Sequence, residues 1–418
     1  MPQTEPLITE KLGIRLDCDG RREYAPGDTI TGQVFRQSPT VSPDSWVRIS
    51  IYGRSKSKIT KRRRVPNENR TIVEGPYRGR FDLVYSPDTA QKIFEGPLHI
   101  EEGDDEHAWS FALTLPLYSD SRCVADHNDR ESYLTLYGTQ YPLPPTMETS
   151  ADGYWAEMEG FVEYWLEAEL NMTKHGKIKQ IEARLPFKLT TPSQRSLIQN
   201  FEPKASTNNR EIASFHLAPG MEHAKLSFKQ KMKQTFSSFS STVPKLDFEV
   251  EVTAPTIIQL DNPSLVPFQI RVLPNWESTS EILRDVPLKI KLKTVDLNIS
   301  SVTRVTAGWT GEVRAAKTTY LYVSNAIEKL GDDIYLGFGE GLEPLDLGKL
   351  INLRIGREGR IGSDEGHHGS SLVPDFSTYN IGHLHELKWS LEIEIAGESI
   401  YVENEQEVAI LAAVSRQE

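Results

Sequence analysis

The stretch REYAPGDTITGQVF, residues 22–35, places a Pro-Gly-Asp turn directly before an alternating run. Pro26 fixes one turn dihedral, Gly27 can adopt the positive φ that follows, and Asp28 can accept a hydrogen bond from the turn backbone. After the turn, polar and apolar residues alternate, which predicts a strand with one buried face. Gly32 within this run indicates a bulge or the close approach of a neighbouring strand. We therefore expect the stretch to shape the entry into a core strand.

Alternation with a period of two recurs along most of the 418 residues and predicts an all-β protein. Predicted strands fall at 12–18, 29–35, 46–52, 108–115, 161–170, 178–189, 246–252, 265–272, 286–299, 312–323, 387–395 and 400–408. Clusters of Gly, Pro, Asn and Asp separate them, which favours antiparallel sandwiches, because parallel α/β units need helical patterns between strands. Three stretches without alternation, 61–87, 128–152 and 356–379, are predicted as long loops.

A polar stretch rich in Ser, Asn, Gln and Lys divides the sequence into two β-rich blocks of similar length. A chain of this length can form two domains, each with its own core. The prediction is two tandem immunoglobulin-like antiparallel β-sandwiches at 1–191 and 244–418. They are joined by a polar linker, 192–243, that contains a short basic amphipathic segment.

The composition limits the classes of partner. A formal net charge of −12 opposes binding of nucleic acid and of anionic membranes, unless a local basic patch provides it. The only cysteines are Cys18 and Cys123, which cannot form a disulfide framework and suggest a reducing compartment. No secretory signal and no apolar membrane-spanning stretch is recognisable. We expect a cytoplasmic protein that is recruited to the plasma membrane or to endosomes.

Five motifs follow one another in the first half: YAPGDTITGQV (24–34), WVRISIYG (46–53), FALTLP (111–116), GFVEYWLEAEL (160–170) and LPFKL (185–189). In this order they resemble the amino-terminal domain of arrestins, in particular the fungal arrestin-like (alpha-arrestin) group. The second half resembles that family only in its strand pattern and in its position after a linker. The resemblance implies an arrestin fold and a non-enzymatic adaptor that binds cytoplasmic parts of transporters or receptors in endocytosis, trafficking or signalling. The alternative is a subunit of a sorting coat, which has the same two-sandwich plan.

The strongest charge feature is RSKSKITKRRR, residues 54–64, with seven basic residues and no acidic one. Lysine and arginine bind anionic groups, and arginine does so in a bidentate manner. In arrestins, basic residues of the amino-terminal domain engage phosphorylated receptor tails, and we expect the alternating residues to lie along a strand edge. A solvated loop or a nuclear-import tract are the alternatives. The candidate phosphate- or partner-binding residues are Arg54, Lys56, Lys58, Lys61, Arg62, Arg63 and Arg64.

A second basic feature is EHAKLSFKQKMKQTFSSF, residues 222–239, in which apolar residues recur every four positions beside lysines. Such a pattern predicts a short amphipathic helix. The helix either lies on an anionic membrane surface or packs its apolar stripe on one of the sandwiches. The membrane-surface candidates are Lys225, Phe228, Lys229, Met232, Lys233 and Phe236.

Other motifs indicate no chemistry. The acidic cluster at 101–106 is read as a solvated hairpin tip rather than a Ca²⁺ loop. His383 and His385 are read as the start of a strand whose core face is Leu387, Trp389 and Leu391 and not as a metal site. No catalytic motif is recognisable. We therefore expect a protein that is not an enzyme and that binds no cofactor and no metal. A ubiquitin ligase stays open as a partner, although YPLPPTM (141–147) contains no Pro-Pro-x-Tyr motif.

Overall fold

The computed structural model describes residues 1–17, 23–66, 70–103, 106–174, 177–191, 196–222, 224–235, 243–284, 286–339, 341–362 and 371–414. Strands make up 55% of it and helices 9%, which confirms the predicted all-β class. The chain forms two compact units. Unit 1 comprises Met1–Ser193, Thr303–Ala315 and Phe376–His383, and unit 2 comprises Gln194–Val302, Ala316–Asp375 and Leu384–Glu418.

Unit 1 is a β-sandwich of a three-stranded and a six-stranded sheet. The first has the order β1-β2-β6, and the second has the order β4-β3-β8-β7, with β5 paired to β3 and β9 paired to β8. The paired strands run antiparallel. Their bounds are β1 Gly13–Leu16, β2 Thr29–Arg36, β3 Thr40–Arg64, β4 Thr71–Asp82, β5 Gln91–Ile100, β6 His107–Thr114, β7 Met147–Asp152, β8 Ala156–Lys174 and β9 Lys177–Phe187.

The opening turn has the predicted form. Gly27 has a φ of +91°, and the Ala25 amide donates to the Asp28 carboxylate at 2.9 Å. Gly32 lies where β1 and β6 both approach β2 closely, because a Cβ there would be 2.3 Å from the Arg15 carbonyl oxygen and 2.9 Å from the Phe111 ring. The stretch therefore acts as scaffold.

Two segments from late in the sequence complete the core of unit 1. Tyr379 and Ile381 are buried in its main apolar cluster, and Val305 packs in a smaller cluster with Ile59 and Met158. Asn380, between the two core residues, is also fully buried and holds hydrogen bonds to β3. The core of unit 1 therefore includes residues that lie more than 100 positions after its main segment, Met1–Ser193.

Unit 2 contains a four-stranded sheet with the order β10-β11-β13-β17. A seven-stranded sheet has the order β12-β22-β21-β14-β15, in which β16 pairs with β14 and β20 with β21; β18 and β19 form a separate pair. Strands β14, β15, β20 and β21 lie partly or wholly in the residues assigned to unit 1. The bounds are β10 Pro203–Ala213, β11 Lys245–Pro255, β12 Ile257–Gln259, β13 Gln269–Pro274, β14 Ile290–Thr306, β15 Glu312–Tyr320, β16 Ile334–Leu336, β17 Leu345–Asp346, β18 Ile355–Gly356, β19 Gly359–Arg360, β20 Phe376–Ser377, β21 Ile381–Ile395 and β22 Glu398–Leu411.

Short helices accompany these sheets. The α-helices are α1 Phe228–Thr235, α2 Val323–Glu328 and α3 Leu347–Leu350, and 3₁₀ turns include Ser86–Thr89, Ser121–Val124, Asp129–Glu131, Phe215–Leu217 and Glu281–Leu283. Within the described residues, no helix is both long enough and apolar enough to cross a membrane. The predicted core face of the late strand is confirmed, since Leu387, Trp389 and Leu391 are buried in the core of unit 2.

The structure differs from the predicted loops and linker, and even the predicted loop 356–379 contains the short strands β19 and β20. Strand β4 occupies much of the predicted loop 61–87, and β7 forms the end of the predicted loop 128–152. The stretch predicted as a linker, 192–243, contains β10, which pairs along its whole length with β11. Strand β10 is mainly polar, and β4 is largely exposed and alternates only over its last six residues, 77–82.

Candidate functional site

The basic run 54–64 forms the second half of β3, at the centre of the six-stranded sheet. Strand β3 is hydrogen-bonded to β8 on one side and to β4 on the other over this stretch. The prediction that the basic residues lie along a strand edge is therefore wrong, and so is the alternative that they form a solvated loop. Both expectations failed because β4, which covers the second side, was not recognised in the sequence.

The alternation of the run separates two faces of the sheet. Ser55, Ser57 and Ile59 are fully buried and point to the interior of unit 1. Arg54, Lys56 and Lys58 alternate with them and lie half-buried on the opposite side, which we call the outer face. The candidate cations from the first part of the run therefore share one surface.

Two of these cations are neutralised by glutamates of β8. Arg54 Nε lies 2.6 Å from Glu163 Oε1, and the guanidinium carbon lies 4.7 Å from the centre of the Trp165 ring. Lys58 Nζ lies 2.7 Å from Glu159 Oε1. The hydrogen bond from Lys58 is the main cause of a lowered pKa at Glu159, and the Met1 amino group contributes as well. These pairs are structural parts of the sheet surface.

The end of the run is tied to two neighbouring turns of unit 1. Arg62 lies 2.6 Å from Asp152 Oδ1, and its amide donates to the Trp155 carbonyl at 2.7 Å. Lys61 donates to the carbonyl of Thr310, and the Arg63 guanidinium lies 3.5 Å from the half-buried Glu74. Arg64 is exposed and has no ion pair within the described residues. Three of the four cations at this end, Lys61, Arg62 and Arg63, are thus bonded to or paired with residues of unit 1.

Lys56 differs from its neighbours on the outer face. In the part of the chain that the structure describes, it forms no ion pair, and its Nζ lies 5.7 Å from the centre of the Phe161 ring. The residue opposite it on β4 is another cation, Arg80, and Arg78 lies opposite Lys58. Burial, followed by the charge of Arg54, lowers the pKa of Lys56. Glu163 and Asp82 also act on Lys56, but each is paired with an arginine, so among the described residues no carboxylate pairs with Lys56 itself.

Arg78 and Arg80 extend the candidate site beyond the residues that the sequence indicated. Arg80 pairs with Asp82 at 3.1 Å, whereas Arg78 is exposed and has no ion pair among the described residues. Like charges opposite each other on paired strands are destabilising unless an anion lies between them. The alternation of YRGRFD was a usable signal, but Gly75 and Pro76 directly before it obscured the strand.

The second candidate surface is helix α1. Phe228 is 79% exposed and Met232 is 48% exposed, so the alternative in which the stripe packs on a sandwich is wrong for these two side chains. Lys225, Lys229 and Lys233 are exposed beside them. Phe236 lies outside the described residues.

The late histidines have structural partners. His385 Nδ1 lies 2.6 Å from Asp375 Oδ1 in unit 2, and His383 Nδ1 lies 2.9 Å from the Thr303 hydroxyl in unit 1. Among the described residues, no group of three or more His, Cys, Asp or Glu side chains is arranged to hold a metal ion. His367 and His368 lie outside the described residues.

Comparison with known proteins does not name a relative. No model of a known protein family matches this chain, and a search of curated proteins finds no significant match.

Proposed function

We propose that this protein is a non-enzymatic, arrestin-like adaptor that binds phosphorylated cytoplasmic segments of membrane proteins in endocytosis, trafficking or signalling. The two all-β units support the fold on which this proposal depends. The motif residues also pack against one another. Gly53 lies under the Tyr164 ring, since a Cβ there would be 2.5 Å from it, and Gly32 lies against Phe111.

The observation that carries the phosphate proposal is that Lys56 lies beside cations and, among the described residues, has no carboxylate paired with it. Its neighbours on β4, Arg78 and Arg80, are cations, whereas Arg54 and Lys58 on either side are already paired with glutamates. A phosphate group carries close to two negative charges and three acceptor oxygens. Bound here, it would meet Lys56 and the Arg78 guanidinium and would relieve the repulsion between the strands.

The paired cations also limit where a phosphate can bind. Displacing Glu163 from Arg54 would leave a buried carboxylate without its partner, which is costly. We therefore assign ligand contact to Lys56 and Arg78 and a scaffold role to the paired cations Arg54, Lys58, Arg62 and Arg80. Of the seven sequence candidates, only Lys56 is thus assigned to ligand contact, and Arg54, Lys58 and Arg62 are assigned to the scaffold.

The test is the double variant Lys56→Gln/Arg78→Gln in the full chain. Binding to a doubly phosphorylated peptide, measured by fluorescence anisotropy, should weaken about tenfold, which corresponds to about 1.4 kcal/mol. Binding should also weaken with salt, because exposed charges are screened. The matched control is Lys177→Gln/Lys179→Gln, which removes the same charge from exposed positions of β9 in unit 1.

If both double variants lost the same affinity, the loss would reflect the net charge of the protein and would contradict the assigned site. Equal affinity of the native chain for the unphosphorylated peptide would contradict phosphate recognition. Isolation from cells in a stable, stoichiometric complex with large partners would instead favour the sorting-coat alternative. A ubiquitin ligase among transient partners would fit the adaptor.

A further inference from the structure

Helix α1 in unit 2 begins with a well-formed cap. The Ser227 amide donates to the Gln230 side-chain oxygen at 2.9 Å, and the Gln230 amide donates back to the Ser227 hydroxyl at 3.4 Å. This reciprocal pair is a capping box, which fixes where the helix starts. The helical faces of the following residues are therefore defined.

The glutamine side of α1 faces the body of unit 2. The Gln234 side chain accepts from the Phe215 amide at 3.3 Å and donates to Glu398 at 2.7 Å. Just before the helix, a ring nitrogen of His216 lies 3.1 Å from the Ala224 carbonyl oxygen. These contacts hold the helix by its polar side.

The apolar side of α1 points away from that attachment. Phe228 and Met232 are four residues apart and share one face, while Gln230 and Gln234 follow each of them by two residues, about 200° around the helix. Surface helices normally bury the apolar face and expose the polar one. Here the arrangement is inverted, since Phe228 is 79% exposed while Gln234 is half-buried.

Lysines flank this apolar face on both sides. Lys229 and Lys233 follow Phe228 and Met232 by one residue, Lys231 lies on the other flank, and Lys225 precedes the helix; all four are exposed. No acidic residue occurs between 224 and 235, although the chain as a whole carries −12. The surface is thus a small apolar strip between cations.

We propose that α1 is a membrane-docking helix that lies in the interface of an anionic bilayer, with Phe228 and Met232 below the headgroups and the lysines at their level. An apolar strip between cations matches a continuous anionic plane with an apolar layer beneath it. A protein groove would need to be apolar at its centre and acidic along both rims. The proposal is independent of the phosphate site in unit 1.

The experiment is flotation of the full chain with vesicles of phosphatidylcholine alone or with phosphatidylserine added. The native chain should bind the anionic vesicles and not the neutral ones. Phe228→Ser/Met232→Ser should lower binding at least about tenfold, whereas Phe228→Leu/Met232→Leu should retain it, because apolar insertion and not shape is required. Since both side chains are exposed, none of these variants should change the unfolding midpoint.

Two controls separate this surface from the rest of the molecule. Ile282→Ser/Tyr401→Ser removes comparable exposed apolar area elsewhere in unit 2 and should bind as the native chain does. Lys56→Gln/Arg78→Gln should bind vesicles normally even if it loses the phosphopeptide. Absence of native binding to anionic vesicles at low salt would overturn the proposal. Undiminished binding of Phe228→Ser/Met232→Ser would also overturn it.

Discussion

Substitution of Asn380 should destabilise unit 1 specifically. Its side chain is fully buried and accepts from the Ser55 hydroxyl at 2.6 Å and from the Thr378 hydroxyl at 3.3 Å. Its amide nitrogen donates to the Ser57 hydroxyl at 2.9 Å, and Ser57 donates in turn to the Thr306 carbonyl at 2.6 Å. Asn380 therefore connects β3 to both late segments of unit 1.

The magnitude follows from these bonds. Asn380→Ala removes three hydrogen bonds, each with a net contribution of about 1 kcal/mol. It also leaves the buried Ser55 hydroxyl without its acceptor, which costs about a further 1–3 kcal/mol. Allowing for partial relaxation, we expect a loss of about 3–5 kcal/mol from the free energy of unfolding of unit 1. Whole domains have about 5–15 kcal/mol, so this is a large fraction.

Hydrogen exchange followed by mass spectrometry measures this loss for each unit separately. Amides of β3 and β8 should exchange roughly a hundredfold faster or more in Asn380→Ala, because about 1.4 kcal/mol is tenfold in an opening equilibrium. Amides of β11, in unit 2, serve as the internal reference. The exposed Asn275→Ala is the matched control.

A second substitution tests the cause. Ser55→Ala in the Asn380→Ala background removes the stranded hydroxyl and should restore about 1 kcal/mol, whereas Ser55→Ala alone should destabilise. Additive losses from the two substitutions would refute the hydrogen-bond argument. Unchanged exchange of β3 in Asn380→Ala would refute the role of the late segment in unit 1.

Two further predictions concern unit 1. Gly53→Ala should lower the free energy of unfolding of unit 1 by about 1–3 kcal/mol, because the added Cβ meets the fully buried Tyr164 ring. The loss is measured as a lower urea midpoint, and an unchanged midpoint would contradict this packing. Burial raises the pKa of Cys123 to about 12 from 9.0. In a Cys18→Ser chain, alkylation should therefore stay slow at pH 9, and stability should fall as pH rises from 9 towards 12, since only the unfolded thiol ionises there. Rapid alkylation of the folded Cys18→Ser chain at pH 9 would contradict the burial of the Cys123 thiol.

Alternation in the sequence predicted those strands that have one buried and one exposed face. Strand β2 begins at the predicted Thr29, and β8 contains the whole of the predicted run 161–170. The physical reason is that burial on one side imposes a period of two. Strands β4 and β10 have little burial on either face, so a period of two is absent from β10 and confined to the last six residues of β4.

The late segments of unit 1 were not predictable from local patterns. Tyr379 ends a stretch that was predicted as a loop, 356–379, and nothing around Tyr379 and Ile381 indicates which core their side chains enter. Their partners, such as Phe81 beside Tyr379, lie about 300 residues earlier in the sequence. Assignment to a core is a property of tertiary contact, which a single sequence does not encode in any short window.

The same limit explains why the basic run is a misleading signal in isolation. A window over 54–64 counts seven cations, yet the pairing of β3 with β8 brings Glu163 and Glu159 beside Arg54 and Lys58 from about 100 residues away. The informative quantity is the charge left after strands are paired. On the outer face the positive charge that stays unpaired is concentrated at Lys56 on β3 and Arg78 on β4. Of these two strands, β4 was the one that the sequence did not predict. A charge run within a predicted strand therefore indicates a ligand site only where its cross-strand neighbours fail to neutralise it.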